Sequence, residues 1–362
     1  MAYIKKQKNG KWLARVSWRD GEKLKQKSKA TFKTKVEANR WANSFLNDVY
    51  TGKAVIDDIS FYDYFVDWFE TYKKPRLSKV TITRYEIIAR LIKGEFGNKK
   101  LSKIKRRDYQ RFINKFGSTH APDTVKKTNS IIRACIKSSI IDGKINTDFT
   151  QNVELVVNKD KEIKVEYLSL SEIKQLVHYL ENNLNPKYTA NYMILTAIYT
   201  GMRLGEICAL TWNDIDFDKH TINIDKSWDY IYNSGFKPTK TESSVRTIRV
   251  NDFILNKLKE LQRNDKEMVF ENPQDKVPSS NGVNKQLRYA MKQCDISKAN
   301  FHFHSLRHSH VALLLYYGID LYSISKRLGH SDMTTTSKKY AYLIDELREK
   351  SDDHIEKILE EI

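Results

Sequence analysis

Four short stretches in the second half of this 362-residue chain hold side chains that could do chemistry. In Thr200-Gly201-Met202-Arg203-Leu204-Gly205-Glu206-Ile207, an arginine follows a glycine where one helical pattern ends and the next begins. Its guanidinium fork matches two phosphate oxygens, and Glu206, one helical turn on, could orient a neighbouring group. A structural helix start is the plainer meaning of that fragment alone. In His304-Ser305-Leu306-Arg307-His308-Ser309-His310, His304 and Arg307 are i and i+3, which puts an imidazole and a guanidinium on one helix face. His304 and His308, at i and i+4, could also hold zinc, but no HExxH glutamate, further ligand set or cysteine pair accompanies them. In Leu328-Gly329-His330 the glycine ends a helix and presents His330 at its mouth, with Tyr340 ten residues later and Tyr342 just beyond. In Lys237-Pro238-Thr239-Lys240-Thr241-Glu242-Ser243-Ser244, a basic turn leads into a strand, so a lysine tip could reach a ligand held by the helices. A solvated turn is the commoner meaning of that pattern.

The elements that must position these groups are readable from periodicity. A capped helix opens at Leu170-Ser171-Glu172 and runs through Leu180, and a more apolar one spans Tyr192–Tyr199. Past residue 211 the period changes to two, giving strands over Thr221–Ile224 and Val245–Val250 with turn chemistry at Asn233-Ser234-Gly235. Helix resumes from Phe253. Upstream, residues 60–155 read as almost entirely helical. Phe61, Tyr64, Phe65, Trp68, Phe69 and Tyr72 form a buried stripe ended near Pro75, followed by helices at Lys79–Ile92, Lys105–Phe116 and Pro122–Asp142, with Ser102 and Thr119 as starting signals. Residues 156–166 are polar enough for an interdomain linker.

Composition bounds the class of partner. Lys and Arg total 63 against 45 Asp and Glu, a formal charge of +18, with 40% hydrophobic residues, which excludes a disordered polycation or low-complexity chain. No apolar run approaches the roughly 18 residues a bilayer span needs, and the start, MAYIKKQKNGKW, lacks the apolar middle of a signal peptide. Cys135, Cys208 and Cys294 are odd in number and far apart, so neither a disulfide framework nor a cysteine zinc site is expected. The expectation is a soluble, cytosolic, multidomain protein that binds a polyanion, nucleic acid first, because neutralised phosphates release counterions. Charge alone does not separate an enzyme from a passive binder.

Half of the excess charge sits in residues 1–50, where thirteen bases face four acids. Tyr3–Lys6, Trp12–Trp18 and Lys23–Lys29 are short strand patterns separated by Asn9-Gly10 and Asp20-Gly21, and Thr34–Tyr50 has helical spacing. A three-stranded sheet backed by one helix follows, with Lys5, Lys6, Arg15, Arg19, Lys25 and Lys27 expected on a polar face suited to a DNA groove. Lys103, Lys105, Arg106, Arg107, Lys126 and Lys127 are the corresponding candidates on the helical region.

The ordered set Arg203, Lys240, His304-x-x-Arg307, Leu-Gly-His330 and Tyr340 resembles the signature of the tyrosine recombinase (phage integrase) family. The strings TGMRLGE, HSLRHSHVALLL and LGHSDMTTTSKKYAYL carry it, across about residues 165–345. The upstream regions resemble the SAM-like core-binding domain and the basic arm-binding domain of phage and conjugative-element integrases. The resemblance implies a mainly α multidomain fold with small β elements: an arm domain over 1–52, a helical core-binding domain over 58–156, and an α+β catalytic domain over 165–362. It implies that Tyr340 attacks a phosphodiester to give a 3′-phosphotyrosyl link, the family spacing selecting Tyr340 over Tyr342, and that Ser325, Thr334 and Thr335 are not nucleophiles. Arg203 and Arg307 would clamp the nonbridging oxygens, His304 would donate to the phosphate, and Lys240 would protonate the leaving 5′-oxygen. His330 would bond the phosphate or help deprotonate Tyr340, and Glu206 would support the site from behind. No metal, ATP or other cofactor is implied. The implied partners are double-stranded DNA at attachment sites, the protein itself as a tetramer through a Holliday junction, an excisionase and a host DNA-bending protein, all in the bacterial cytoplasm on the nucleoid. The acidic tail from Asp345 reads either as an exposed surface helix or, as in integrases, as a segment that docks on a neighbouring protomer. A catalytically silent DNA-binding regulator or architectural protein of the same fold is the alternative function, and a relaxing topoisomerase a third.

Overall fold

A computed structural model describes residues 2–20, 22–51, 59–162, 165–230, 235–239 and 241–330, together with Ser337 and Tyr340. Lys240, Tyr342, Thr334, Thr335 and the tail lie outside the described residues. The chain divides into two compact units, Met1–Ile163 and Lys164–Ile362. No helix among the described residues is long and apolar enough to cross a membrane.

The first unit holds two separate hydrophobic cores. In the N-terminal one, β1 (Ala2–Lys6), β2 (Trp12–Asp20) and β3 (Lys23–Phe32) form an antiparallel sheet in sequence order. Gly10 takes φ +78° in the first turn, a backbone state that glycine adopts without a Cβ penalty. Helix α1 (Lys35–Tyr50) starts at Thr34, whose side chain accepts from Glu37 N. It packs Ala38 and Ala42 against Ala14, Val16 and Trp18 of β2. The sheet register divides the expected basic face in two. Arg15 pairs with Tyr3 and Ser28, Leu13 with Lys5, and Arg19 with Leu24, so Lys5, Arg15 and Arg19 share the face away from α1. Lys6 pairs with Trp12, Lys27 with Val16 and Lys25 with Trp18, so these three share the helix-packed face. Strict alternation along the strands dictates this, since opposite partners point to the same side. The lysine stems are tolerated there because β1 and β3 are edge strands and the ammonium groups reach past the core. Lys27 Nζ sits 4.8 Å over the Phe45 ring.

The second core is helical. In α2 (Phe61–Trp68), Phe61, Tyr64, Phe65 and Trp68 are buried as their spacing dictates. Past Trp68 the helix loosens into a π turn over Phe69–Lys73 and a 3-10 turn over Lys74–Arg76 around Pro75. The change of pitch turns Tyr72 out to solvent, against the expected stripe. Helices α3 (Lys79–Phe96), α4 (Arg106–Gly117) and α5 (Pro122–Ile141) complete the bundle. The caps differ from the expected ones. Helix α4 begins after Lys105, whose N–H donates to the Asp108 carboxylate at 3.0 Å, and α5 begins after Ala121 with Pro122 in its first turn. Thr119 instead donates its hydroxyl to the Phe116 carbonyl.

The second unit is α+β. Helix α6 (Leu170–Asn182) is opened by a Ser169/Glu172 capping box, and α7 (Ala190–Thr200) is buried along almost its whole length. The short α8 (Leu204–Cys208) follows after a glycine turn. A sheet of β4 (Ile215–Asp216), β5 (Thr221–Ile224) and β8 (Arg246–Arg249) is interrupted by a two-stranded hairpin, β6 (Lys226–Trp228) and β7 (Phe236–Pro238). Three residues per strand are too few to carry a readable period, which is why the hairpin strands were not expected. Helices α9 (Asp252–Lys259), α10 (Ser280–Gln293), α11 (Phe303–Tyr316) and α12 (Leu321–Leu328) close the core around α7. All three cysteines are free.

Candidate active site

Helix ends place the reactive groups. Helix α7 terminates at Gly201, which takes φ +65°. A Cβ there would lie 2.7 Å from the His310 ring, so both backbone state and space demand glycine. The turn leaves Arg203 as the residue capping α8, three residues before Glu206. Arg203 NH1 donates to Glu206 Oε1 at 2.7 Å, and the Arg203 backbone N–H donates to Oε2 at 2.9 Å.

Glu206 is buried and holds a second cation. Arg246 NH2 donates to its Oε2 at 3.0 Å, Arg246 Nε to the Arg327 carbonyl at 2.7 Å, and NH1 to the Ser244 carbonyl at 2.9 Å. Burial pushes the Glu206 carboxyl up, but Arg246 and then Arg203 outweigh it, and the group sits below the usual carboxylate range. Arg246 was missed in the sequence, although a signal exists. In β8 it is in phase with buried Ile248 and pairs with buried Ile224, and a charge on the core side of a strand must be partnered.

Arg307 projects from α11 and is 2% exposed. Its NH1 donates to the Gly201 carbonyl at 2.8 Å, and NH2 to the Leu328 carbonyl at 2.7 Å and to His330 Nε2 at 3.0 Å. A guanidinium only donates, so His330 accepts at Nε2 and keeps its proton on Nδ1. Burial, reinforced by the Arg203 cation, lowers the Arg307 pKa to about 9. Among the described residues its bonded partners are two carbonyls and an imidazole, none of them an anion, which leaves a desolvated positive charge suited to a phosphate.

His330 is set by the end of α12. Gly329 takes φ +69°, its N–H donates to the Lys326 carbonyl, and the His330 N–H reaches back to the Ser325 carbonyl at 3.1 Å. Behind the site, His310 bridges Ile198 and Arg327. Its Nδ1 meets the Ile198 carbonyl at 2.9 Å, while Nε2 accepts from Arg327 Nε at 3.2 Å, which fixes a neutral tautomer. Burial, with Arg327 beside it, pushes the His310 pKa down to about 3.

Tyr340 is 1% exposed, its ring packed with Val311, Ala312, Ile324 and Leu328. The hydroxyl lies 2.6 Å from His308 Nδ1. His304, exposed, stands edge-on to the His308 ring at 5.1 Å. The structure therefore brings Arg203, Glu206, Arg307 and His330 together with Tyr340, His308 and His304. Arg203, Glu206, Arg246 and Tyr340 all act electrostatically on Arg307. Such a constellation can hold a phosphodiester by its nonbridging oxygens beside a phenol nucleophile.

The basic candidates of the first unit are exposed except Lys25, which is half-buried. Lys105, Arg106 and Arg107 crowd the N-terminal end of α4, where the helix dipole disfavours cations and favours an anion. Lys126 and Lys127 lie on the first turns of α5, with Lys127 3.5 Å from Asp123.

The Phage integrase family matches residues 166–346, the phage integrase N-terminal SAM-like domain residues 60–117, and the Arm DNA-binding domain residues 3–49. The integrase of Staphylococcus phage L54a is 28% identical over 335 residues, 83% of this chain and 94% of that protein. The Tn1549 transposon integrase in complex with a circular intermediate DNA superposes with a TM-score of 0.67 at 18% identity, over 78% of this chain and 95% of that one. The lambda integrase tetramer bound to a Holliday junction gives 0.57 at 17% identity, over 91% and 96% of the two chains. The family match spans the whole stretch that contains the two arginines, the LGH turn and Tyr340, and its two N-terminal companions precede it in order: the chain belongs to the phage integrase family, the tyrosine-type site-specific recombinases.

Proposed function

We propose that this integrase cleaves attachment-site DNA with Tyr340 and holds the scissile phosphate on Arg203 and Arg307. Attack by Tyr340 Oη forms the O–P bond of a 3′-phosphotyrosine as the P–O5′ bond breaks, and Lys240 gives its proton to the departing 5′-oxygen. The link conserves the phosphodiester, so rejoining to a partner strand needs no ATP. The two guanidiniums offset the charge of the pentacoordinate state, with His304 and His330 donating to the phosphate and Glu206 fixing Arg203. The observation that carries this reading is the buried guanidinium of Arg307, bonded among the described residues to two carbonyls and an imidazole, in one cluster with Arg203 and the Tyr340 hydroxyl.

The domain borders follow: an arm-binding domain over 1–52, a core-binding domain over 58–156 and a catalytic domain over 165–362. Lys5, Lys6, Arg15, Arg19, Lys25 and Lys27 serve the arm sites. Lys103, Lys105, Arg106, Arg107, Lys126 and Lys127 serve the core site. Two sequential strand exchanges through a Holliday junction call for a tetramer, and the lambda integrase tetramer supports that assembly. Integration and excision in a bacterial cytoplasm, assisted by an excisionase and a host DNA-bending protein, complete the reading.

The test is a nicked or suicide attachment-site DNA, scored for a covalent adduct by denaturing electrophoresis. Wild type should form the adduct and Tyr340→Phe should abolish it. Adduct that survives Tyr340→Phe and disappears in Tyr342→Phe would reassign the nucleophile. Tight binding to cognate DNA without any adduct would overturn the enzymatic reading.

A further inference from the structure

We infer that His308, which the family pattern leaves without a role, is the proton acceptor of the nucleophile, and this rests on Tyr340 being that nucleophile. The Tyr340 hydroxyl lies 2.6 Å from His308 Nδ1, and both groups are sealed from water, His308 at 7% and Tyr340 at 1% exposure. A bond of that length within the usual O–H···N range aligns the phenol proton with the imidazole lone pair. His330, the other histidine offered for this task, has its Nε2 accepting from Arg307 and its ring tied to the phosphate clamp. The two histidines thus divide the work: His330 faces the guanidinium, and His308 faces the phenol.

His308 is held for this use. It follows Arg307 on α11, so the same turn that aims the clamp aims the base. Its ring is wedged between Tyr340, with ring centroids 5.5 Å apart, and His304, edge-on at 5.1 Å. In the step, the Tyr340 O–H electron pair forms the bond to phosphorus and the proton passes to His308 Nδ1. His308, with its other proton on Nε2, becomes an imidazolium, and the departing 5′-oxygen takes a proton from the leaving-group side. On rejoining, the imidazolium returns its proton to the phenolate as the tyrosine leaves. A buried phenol has no water to accept its proton, so a base in contact is needed for attack at neutral pH.

The experiment measures single-turnover adduct formation on suicide attachment-site DNA by full-length His308→Asn and His308→Leu. Asparagine places an amide oxygen where Nδ1 stands and keeps the hydrogen bond without basicity; leucine removes both. The expected result is that both variants bind DNA as wild type does and cleave about 100-fold or more slowly, the scale of a lost general base. A second arm replaces Tyr340 by 3,5-difluorotyrosine, whose hydroxyl ionises near neutral pH and needs no base. That replacement should change the His308→Asn rate at least about 10-fold more favourably than it changes the rate of the His308 protein, a differential rescue that a merely structural defect would not give. The inference is overturned if His308→Asn cleaves within a few-fold of wild type, or if difluorotyrosine changes both backgrounds alike. Should Tyr340→Phe still form adduct, the nucleophile assignment itself fails, and the two failures are told apart.

Discussion

Glu206 sits between Arg203 and Arg246 with 3% of its side chain exposed, and Arg246 is itself 7% exposed. A buried carboxylate left with one cation is costly. Arg246→Ala should therefore destabilise the catalytic domain by about 3–5 kcal/mol, read by urea unfolding, the range for breaking a buried pair from one side. Titration gives a second handle. The folded Glu206 pKa lies below its ordinary value of 4.5, so the unfolded chain takes up this proton first as pH falls. Its contribution is complete above that ordinary value and lost as pH drops through the folded one, and Glu206→Gln should flatten the acid limb of the stability profile. His310 acts in the same pH direction by another route. Its folded pKa of about 3 lies below 6.5, so acidification through that interval protonates only the unfolded chain and lowers stability. His310→Gln should remove that part of the slope.

At the scale of elements, α8 and the hairpin that precedes Lys240 are coupled through a glycine. A Cβ on Gly205 would lie 2.5 Å from Ser227 Oγ and 3.2 Å from the Trp228 carbonyl of β6. Gly205→Ala should push the hairpin away from the arginine helix. The expected outcome is a folded protein with slow cleavage, recovered on DNA carrying a 5′-bridging phosphorothiolate, whose sulfur leaves without a proton. The arm sheet offers an independent test of its register. Replacing Lys5, Arg15 and Arg19 together by glutamine should reduce the slope of log K against log salt on arm-site DNA by roughly 2–3, if each neutralises one phosphate. The same change at Lys6, Lys25 and Lys27, on the helix-packed face, should reduce it less. The elements themselves were largely legible, because hydrophobic period and turn dipeptides fix strands and helices locally. The faces were not equally legible. Which lysines share a side depends on pairing between strands, and a bulge between Trp12 and Ala14 shifts that pairing in a way no single strand encodes. The site shows the same division. Arg203, Arg307, His330 and Tyr340 are marked by spacing along the chain, whereas Arg246 and His308 take their meaning only from the carboxylate and the phenol that folding brings to them.

Over the whole molecule, the charge of +18 has at least two kinds of cation. Most of those described in the first unit are exposed, and cations of that kind act by number and can be exchanged for one another at modest cost. Arg203, Arg246 and Arg307 of the second are individually fixed. Arg307 ties the end of α7, through the Gly201 carbonyl, to the end of α12, through the Leu328 carbonyl, so one guanidinium joins three distant stretches of chain. Tyr340 gives its ring to a packing cluster and its hydroxyl to the His308 bond. Genomic decay of a mobile element should reflect that difference. Losing the arginine disrupts the catalytic domain along with the reaction, and such a gene yields a protein prone to degradation. Losing the phenol hydroxyl should leave a folded chain, and on the proposed function one that still grips DNA. Descendants retired from recombination and kept as DNA-binding proteins are therefore expected to have discarded the tyrosine while retaining the arginine, and the order of those losses can be read in their sequences.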